Sequence, residues 1–466
     1  METARRLPRS APASEGVAAG RIAALLDALA ARNLQMHSLM LLRHGRVVAE
    51  GWWRPYAAET PHALYSLSKS FTSTAVGLAV HEGRLSPDDA VVSFFPDDLP
   101  PRIGPNLAAM RVRHLLSMGT GHDQDATPRV REGGNTAWVR RFLSLDVEHE
   151  PGSKFVYNSA ATYMLSAIVQ RVTGRTLLDY LAPRLLEPLG IRGATWESSP
   201  EGIHTGGWGL SLRTEDIACF GQLLLQEGRW GDRQLVPRDW IREATSVQIH
   251  NGGGPNPDWA QGYGYQFWRC RHGAYRGDGA WGQYCVVLPE QDAVLAMTGG
   301  TGNLQGVLDC VWEHVLPALG AGAGSAADDA ALAGRLGALS LAPAGGDAPG
   351  AAFAAGGTWT FEPNAARLET LTLDFGGPSC GVRMVEGGAE RRIACGWGRW
   401  EQGDPGAEPC AGHAAWEPDG TLRLDWYWVR TPFGRTLRIR ADGAGVDVEY
   451  RGNVGEHANG HRLRGA

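Results

Sequence analysis

The chain has 466 residues, of which 43% are hydrophobic and 20% are charged. These proportions are ordinary for a globular protein, and the length predicts two or three domains. The formal net charge is −6, and basic residues do not cluster along any predicted helix, which argues against a nucleic-acid partner and a membrane surface. We therefore expect a small-molecule partner.

The N-terminal segment and the cysteines bear on location and on metal binding. Residues 1–17 include several arginines, but proline-rich polar sequence follows them instead of an apolar stretch, and no window approaches the length of a membrane span. The seven cysteines form no Cys-x-x-Cys pair, and the fourteen histidines include no His-Glu-x-x-His arrangement. We interpret the chain as cytoplasmic, without a signal peptide, a disulfide framework, a metal or another cofactor.

In chain order, the first predicted elements are a helix over residues 19–32 and a hairpin around the turn His44-Gly45. A mostly helical stretch follows, and two strands and a closing helix come after it. These later elements are predicted at Val112 to Met118, Ala160 to Val172, Leu177 to Leu186, Asp216 to Gln226, Tyr284 to Leu288, Ala293 to Met297 and Leu304 to Leu319.

These patterns predict an α+β fold for residues 1–320. It consists of an antiparallel sheet flanked by helices, with an inserted helical lobe at about residues 100–262. Residues 321–352 are rich in Ala and Gly and predict a linker, in which 330–339 has the pattern of a short helix. Residues 353–466 alternate short apolar runs with Gly, Asp and Pro turns, which is typical of a separate all-β domain, either a sandwich or a small barrel.

Lysine is scarce in this chain, since only Lys69 and Lys154 occur among 44 basic residues. Arginine does not release its proton in proteins and cannot replace lysine as a base. Lys69 stands three residues after Ser66, and the apolar run that begins at Phe71 predicts that both lie on one face of a buried helix. Burial without a carboxylate partner lowers the pKa of a lysine, so Lys69 is a candidate base for Ser66. The alternative is a solvated pair on an exposed helix.

The segment 150–159, Glu-Pro-Gly-Ser-Lys-Phe-Val-Tyr-Asn-Ser, predicts a turn that delivers Tyr157 and Ser159 to the start of an apolar helix. A phenol can relay a proton between a nucleophile, a lysine and a leaving group. The alternative for Tyr157 is simple packing. Lys154 is interpreted as a surface residue of this turn.

The segment 277–283, Gly-Asp-Gly-Ala-Trp-Gly-Gln, leads into a predicted strand. A glycine-rich strand edge allows a backbone N–H to approach a substrate oxygen closely, as an oxyanion hole requires. The alternative is a bulge or a sharp bend at an edge strand.

Together these three segments resemble the serine β-lactamase-like superfamily, which includes class C β-lactamases, penicillin-binding DD-peptidases, and related esterases and nylon-oligomer hydrolases. The resemblance covers about residues 10–320. It also rests on Val112-Arg113-His114-Leu115-Leu116-Ser117-Met118, Pro151-Gly152-Ser153-Lys154-Phe155, Pro188-Leu189-Gly190-Ile191, and Gly206-Gly207-Trp208-Gly209-Leu210-Ser211-Leu212.

The resemblance implies a role for each matched residue. Ser66 is the acylated nucleophile, Lys69 its base, and Tyr157 the tyrosine that shares the proton relay. The oxyanion donors are the N–H of Ser66 and one N–H of the glycine-rich segment, that of Trp281 or of Ala280.

The chain departs from the superfamily pattern at two places. Ser159 stands where the Tyr-x-Asn motif has asparagine, and the stretch Asp278 to Gln283, which includes Gly282, has no lysine or histidine in the place of the third motif. The resemblance still places Ser159, Asp278, Gly282 and Gln283 among the residues that contact the substrate or shape the oxyanion site. Without the motif's cation, the usual anchor for the carboxylate of a penicillin or peptide is missing.

Aromatic residues from three segments are candidates for the lining of an apolar pocket suited to a neutral acyl group. They are Trp208, Trp281, and Tyr263 or Tyr265. Gly377-Pro378-Ser379-Cys380-Gly381 matches the Gly-x-Ser-x-Gly nucleophile elbow, but that elbow needs a following helix, and here a strand pattern follows.

The sequence therefore predicts a serine hydrolase that acts on a carboxylic ester or a small amide rather than on a β-lactam. The alternatives are an acyltransferase that uses the same acyl-enzyme, a β-lactamase or D-amino-peptidase, and a catalytically silent binding module. The sequence leaves the oligomeric state open.

Overall fold

A computed structural model describes residues 7–320, 322, 324–342, 356–403, 408–443 and 445–466. The helices are α1 (Ala19–Ala31), α2 (Ser68–His81), α3 (Pro105–Ala109), α4 (Val112–Leu116), α5 (Thr127–Arg131), α6 (Trp138–Ser144), α7 (Ser159–Thr173), α8 (Leu177–Leu181), α9 (Thr214–Leu225), α10 (Arg238–Thr245), α11 (Leu304–Cys310), α12 (Leu316–Ala318) and α13 (Ala326–Gly337). Among the described residues, no helix has the length and apolar character needed to cross a membrane.

The strands alternate with these helices up to residue 299 and dominate after residue 356. They are β1 (Met36–Arg43), β2 (Arg46–Trp52), β3 (His62–Ala63), β4 (Thr195–Trp196), β5 (Leu210–Leu212), β6 (Arg229–Trp230), β7 (Arg233–Gln234), β8 (Trp268–Arg269), β9 (Tyr275–Gly279), β10 (Gln283–Leu288), β11 (Ala293–Gly299), β12 (Gly357–Thr360), β13 (Leu368–Asp374), β14 (Ser379–Glu386), β15 (Ala389–Trp397), β16 (Glu401–Gln402), β17 (Cys410–Trp416), β18 (Leu422–Trp428), β19 (Gly434–Asp442), β20 (Gly445–Gly452) and β21 (His461–Gly465).

The central sheet has the order β2-β1-β11-β10-β9-β8, and its neighbouring strands are antiparallel. Its two faces bury different cores because side chains alternate along a strand. In β1, Met40 and Leu42 join the core shared with the helical lobe, while Leu39 and Leu41 join the core beneath the terminal helices. The predicted α+β architecture is confirmed.

Helices α2 and α9 pack on one side of this sheet, and α1, α11 and α12 pack on the other. Helix α2 is buried along nearly its whole length, from Ser68 to Ala79, because it lies between the sheet and α7. Its polar side chains are therefore inside the protein. The turn Tyr65–Leu67, which leads into α2, contacts β9 of this sheet.

The stretch predicted to be a linker contains a packed helix. Leu332 and Leu336 of α13 are buried against the terminal helices, and a Cβ atom on Gly51 of β2 would meet Leu336 and Leu339 at 3.0 and 2.8 Å. This part of the predicted linker is therefore not a spacer, because its apolar stripe covers the edge of the sheet. The rest of that prediction, at residues 343–352, lies outside the described residues.

Residues after 356 form a second sheet with the order β12-β13-β14-β15-β17-β18-β19-β20-β21. Its strands are antiparallel except where β15 pairs with β17. The sheet curls on itself, since Thr360 and Ala466 exchange backbone hydrogen bonds and Phe361 bridges Gly465. The C-terminal all-β domain is thus an almost closed barrel. Ser379 begins a strand and no helix follows it, so the nucleophile-elbow geometry is not formed there.

The β domain packs against the first domain through a small apolar cluster. Tyr56 of the first domain contacts Ala411, Tyr427 and Val429 of the second. His37 stacks on Tyr56 with ring centroids 3.7 Å apart, so imidazole and phenol rings fill the boundary. The two domains are in direct contact here.

Candidate active site

Ser66 lies in a 3-10 turn, Tyr65–Leu67, that continues into α2. The sequence placed Ser66 in the first turn of the helix, whereas the structure places it in the turn that precedes the helix. The spacing has the predicted effect, because Lys69 Nζ lies 3.0 Å from Ser66 Oγ. Tyr65 has a φ of 49°, a left-handed conformation that is unusual for a bulky residue and is common beside functional groups.

Lys69 is 1% exposed and has three hydrogen-bond partners. Its Nζ contacts Ser66 Oγ at 3.0 Å, Ser159 Oγ at 3.0 Å and the carbonyl oxygen of Gly207 at 2.7 Å. Burial lowers the pKa of Lys69 to about 7, although the charges of Asp125 and Asp278 act in the opposite direction. A substantial neutral fraction of this amine is therefore present near neutral pH.

Tyr157 lies next to this pair, just before α7. Lys69 Nζ is 4.9 Å from the centroid of the Tyr157 ring, and the Ser66 side chain is a hydrogen-bonding neighbour of the phenol. Burial, followed by the charge of Asp278, raises the pKa of Tyr157 well above its ordinary value. The phenol therefore stays protonated and is suited to donate a proton. Its ring stacks on Trp268 with centroids 5.3 Å apart, which fixes its position.

The start of α7 is held by polar contacts that the sequence did not reveal. Asn158 is the N-cap, and its side chain accepts hydrogen bonds from the N–H groups of Ala160 and Ala161. The Ser159 N–H donates to Asp125 Oδ1 at 3.1 Å, so the loop that carries Asp125 is tied to the site. Ser159 Oγ is thereby held beside Lys69. No motif in the sequence pointed to Asp125.

Gly207 is a second site residue without a predicted role. The segment that contains it contributed to the resemblance, but the lysine contact depends on its backbone carbonyl, which no side-chain pattern reveals. A Cβ atom at this position would lie 3.0 Å from the Ser159 carbonyl oxygen and 3.4 Å from Lys69 Nζ. Glycine allows the chain to pass this close to the amine.

Strand β9 lies directly against the turn that contains Ser66, because two of its residues are glycines. A Cβ atom on Gly277 would lie 2.5 Å from both Leu67 Cδ1 and Ser70 Oγ, and one on Gly279 would lie 2.0 Å from the Leu64 carbonyl oxygen. Real Cβ atoms essentially never come this close to another heavy atom. The glycines therefore let β9 pack against this turn, and the approach of a backbone N–H to a substrate oxygen stays a prediction.

Asp278 lies between these glycines and is 7% exposed. Arg276 Nε donates to Asp278 Oδ2 at 2.9 Å, and this guanidinium is fully buried. Arg276 also donates to the carbonyl oxygen of Asp258 at 2.7 Å and lies 4.1 Å from the Trp259 ring centroid. Desolvation raises the pKa of Asp278, and the neighbouring Arg276 opposes that shift. Asp278 is thus a buried carboxylate that is paired with a buried arginine.

The turn after β9 carries both candidate oxyanion donors. Trp281 has a φ of 69° and Gly282 a φ of 98°, so the chain reverses sharply there. In the part of the chain that the structure describes, neither the Ala280 N–H nor the Trp281 N–H donates a hydrogen bond. The Trp281 carbonyl oxygen accepts from the Thr301 N–H at 3.1 Å. Both N–H groups remain available, and the choice between them stays open.

Gln283 lies behind the turn that carries the candidate oxyanion donors. Its side chain is fully buried, and Nε2 donates to the carbonyl oxygens of Ala280 and Gly299 at 3.0 Å each. Its Oε1 accepts from the Gly299 N–H at 3.3 Å. Gln283 therefore stabilises the turn from within the protein core, because its side-chain amide is hydrogen-bonded to the backbone groups of Ala280 and Gly299.

The predicted aromatic lining is only partly exposed. Trp208 and Trp281 are half-buried, whereas Tyr263 and Tyr265 are 1% and 2% exposed. Tyr263 and Tyr265 are therefore core residues, so the structure does not support the prediction that they line a pocket. Lys154 is exposed and pairs with Asp123 at 3.0 Å, so the prediction of a surface residue is confirmed.

The family model described as Beta-lactamase matches residues 22–304, and the chain belongs to this family. The chain is 27% identical to the 6-aminohexanoate-dimer hydrolase of Paenarthrobacter ureafaciens over 302 residues, which are 58% of this chain and 76% of that protein. It is 26% identical to Esterase EstB of Burkholderia gladioli over 220 residues, which are 40% of this chain and 55% of the esterase. The chain is thus a member of a hydrolase family.

A solved structure resembles both domains. It is the octameric penicillin-binding protein homologue from Pyrococcus abyssi, with a TM-score of 0.53 and 17% sequence identity over 96% of this chain and 99% of that chain. At this identity the likeness concerns the fold.

The contact between β9 and the nucleophile turn yields a first prediction. Gly279→Ala places a methyl group against the Leu64 carbonyl oxygen, so the strand must move away from Ser66. We expect a loss of about 1–3 kcal/mol in the free energy of unfolding, as for other overpacked sites. We also expect a loss of about a hundredfold in hydrolytic turnover, as for other displacements near 1 Å. Urea unfolding and steady-state kinetics measure the two effects.

Gly302→Ala is the matched control, because nothing lies within 4 Å of its Cβ position. This variant should retain the stability and turnover of the original chain. Full turnover in Gly279→Ala would contradict the assignment of a tight approach at β9.

Proposed function

We propose that this protein is a serine hydrolase that forms an acyl-enzyme at Ser66 and acts on carboxylic esters or small amides. The observation that carries the proposal is the 3.0 Å contact between Ser66 Oγ and the Nζ of the buried Lys69. A neutral amine has two N–H groups and one lone pair. The Gly207 carbonyl and Ser159 Oγ accept the two N–H groups, which leaves the lone pair for the Ser66 hydroxyl proton.

The proposed reaction has two halves. Ser66 Oγ attacks the substrate carbonyl carbon while its proton passes to Lys69 Nζ, and the oxyanion binds to backbone N–H groups of the turn after β9 and of Ser66. The bond to the leaving group then breaks, and that group receives a proton from the Tyr157 phenol, which Lys69 reprotonates. Water attacks the acyl-enzyme, and the carboxylic acid departs as Ser66 regains its proton.

The charges near the site favour a substrate without a carboxylate at the anchor position. The stretch Asp278 to Gln283, which the resemblance matches to the third motif, has no lysine or histidine, and Asp125 and Asp278 both act on Lys69. Next to Ser66, burial and the charges of Glu197 and Glu408 raise the pKa of Tyr65 to about 12. The names of the relatives, a dimer hydrolase and an esterase, support the same substrate classes.

The nucleophile is tested by covalent labelling. A fluorophosphonate should add one phosphonyl group to the native chain, and Ser66→Ala should remain unlabelled, because the reagent reacts with an activated serine. Intact mass spectrometry gives the result. Ser379→Ala, which changes the serine of the elbow-like sequence in the β domain, is the control and should label fully. Equal labelling of the native chain and Ser66→Ala would refute the proposal.

The base is tested by Lys69→Arg, which keeps a positive charge and removes the proton acceptor. We expect kcat/KM to fall by at least a hundredfold, the size of a general-base contribution. In the native chain, kcat/KM for a neutral ester should rise with pH through about 7. Below that pKa the amine is protonated, and above it the amine can accept the Ser66 proton.

Lys154→Arg is the matched control, because it changes the only other lysine and its ion pair with Asp123 is exposed. It should retain both the rate and the pH profile. Lys69→Met gives a second loss-of-base variant of similar length, and thermal unfolding reports whether each variant is folded. Near-native activity in a folded Lys69→Met protein would rule out the lysine as base.

Substrate class is tested by comparing p-nitrophenyl butanoate with a chromogenic cephalosporin at equal concentrations. The ester should be hydrolysed at least tenfold faster, because the stretch that matches the third motif has no lysine or histidine to bind the cephalosporin carboxylate. A faster cephalosporin reaction would reverse the assignment to esters and small amides.

A further inference from the structure

One loop of the β domain reaches the first domain beside the nucleophile. It connects β18 to β19 and spans Val429 to Phe433. The Arg430 carbonyl oxygen accepts from the Ala63 N–H at 2.8 Å, three residues before Ser66, and the Thr431 carbonyl oxygen accepts from the Tyr56 hydroxyl at 2.9 Å. The loop is therefore fixed to the chain that leads into the nucleophile turn.

The same loop is also fixed near the turn after β9, which carries the candidate oxyanion donors. Asn453 Nδ2 donates to the Pro432 carbonyl oxygen at 2.8 Å and to the Gly300 carbonyl oxygen at 3.1 Å. The residue after Gly300 is Thr301, whose N–H holds the Trp281 carbonyl oxygen. A Cβ atom on Gly300 would lie 2.4 Å from Asn453 Nδ2 and 2.5 Å from the Pro432 carbonyl oxygen. The first domain thus has a glycine at a point where the loop leaves no room for a side chain.

Phe433 is the last residue of this loop, and its ring lies near both Tyr65 and Trp281. Its centroid is 6.4 Å from that of Tyr65, with the rings perpendicular, and 6.5 Å from that of Trp281, at an angle of 60°. These distances are within the range of interacting aromatic pairs. All three side chains are half-buried, so each still presents apolar surface to solvent. Tyr65 adjoins Ser66 in sequence, and Trp281 carries a candidate oxyanion donor.

We propose that Phe433, with Tyr65 and Trp281, forms an apolar subsite that binds the uncharged hydrophobic acyl chain of the substrate, so that the β domain sets acyl-chain preference. This inference rests on the proposed acyl-enzyme at Ser66. The acyl group is the part of the substrate that stays bonded to Ser66 through both halves of the reaction, and these rings are the apolar surface beside it. Phe433 acts here as a specificity residue and takes no part in proton transfer.

The subsite is tested with p-nitrophenyl acetate and p-nitrophenyl octanoate. The native chain should prefer the octanoate. Phe433→Ala should lower kcat/KM for the octanoate by about tenfold, the lower end of the effect of a hydrophobic pocket contact. It should leave the acetate value within about twofold, because the acetyl group is too short to reach the ring. Phe433→Trp, which places a larger ring beside Tyr65 and Trp281, should shift preference toward the acetate.

Phe375→Ala is the matched control, because Phe375 is a half-buried phenylalanine of the same domain whose ring packs on Trp397 and Trp416. It should leave the octanoate-to-acetate ratio unchanged. Thermal unfolding checks that each variant is folded, and Phe433→Trp gives a second reading if Phe433→Ala is unstable. An unchanged ratio in the folded Phe433 variants would overturn the subsite.

The labelling rate of a small methyl fluorophosphonate separates this inference from the proposed function. Equal labelling of the native chain and Phe433→Ala, together with an altered ester ratio, supports both proposals. Equal labelling with an unaltered ratio rejects the subsite and keeps the nucleophile. A native chain that takes no label rejects both.

Discussion

Moving an ammonium group out of water costs free energy, and the described part of the chain gives Lys69 no ion pair to offset that cost. The amine instead contacts two hydroxyls and the Gly207 carbonyl, and burial lowers its pKa to about 7, which favours the neutral form more than in water. This one desolvated group links α2 to α7 through Ser159 and to the chain before β5 through Gly207. The geometry of the candidate site follows from these contacts, because each partner must reach the same nitrogen.

The side of the candidate site that β9 forms depends on backbone packing. Gly277 and Gly279 let β9 lie against the nucleophile turn, and the buried Arg276 holds Asp278 between them. Removing one partner of a buried carboxylate–arginine pair leaves an unpaired buried charge, so this pair holds β9 in place only when both groups are present.

The C-terminal barrel also contacts the region of the candidate site. Its loop before β19 accepts hydrogen bonds from Tyr56 and Ala63, and Asn453 of the barrel donates to both Pro432 of this loop and Gly300 of the first domain. Aromatic rings of the two domains meet at Phe433. A local composition pattern does not reveal such a contact, because Ala63 and Arg430 are far apart in the sequence and meet through backbone atoms. Composition also did not reveal how α13 packs, since its buried contacts are made by Leu332 and Leu336 among many Ala and Gly residues.

The sequence by itself determined the α+β architecture, the all-β C-terminal region and the pairing of Ser66 with Lys69, because periodicity and an i, i+3 spacing are local properties. Only the tertiary structure decided which groups surround that pair. The Gly207 carbonyl, the Asp125 contact and the inward position of Gln283 depend on how distant backbones approach one another. Protonation depends on that environment as well. Lysine in sequence is an ordinary cation, and burial in the fold lowers the pKa of Lys69 to about 7.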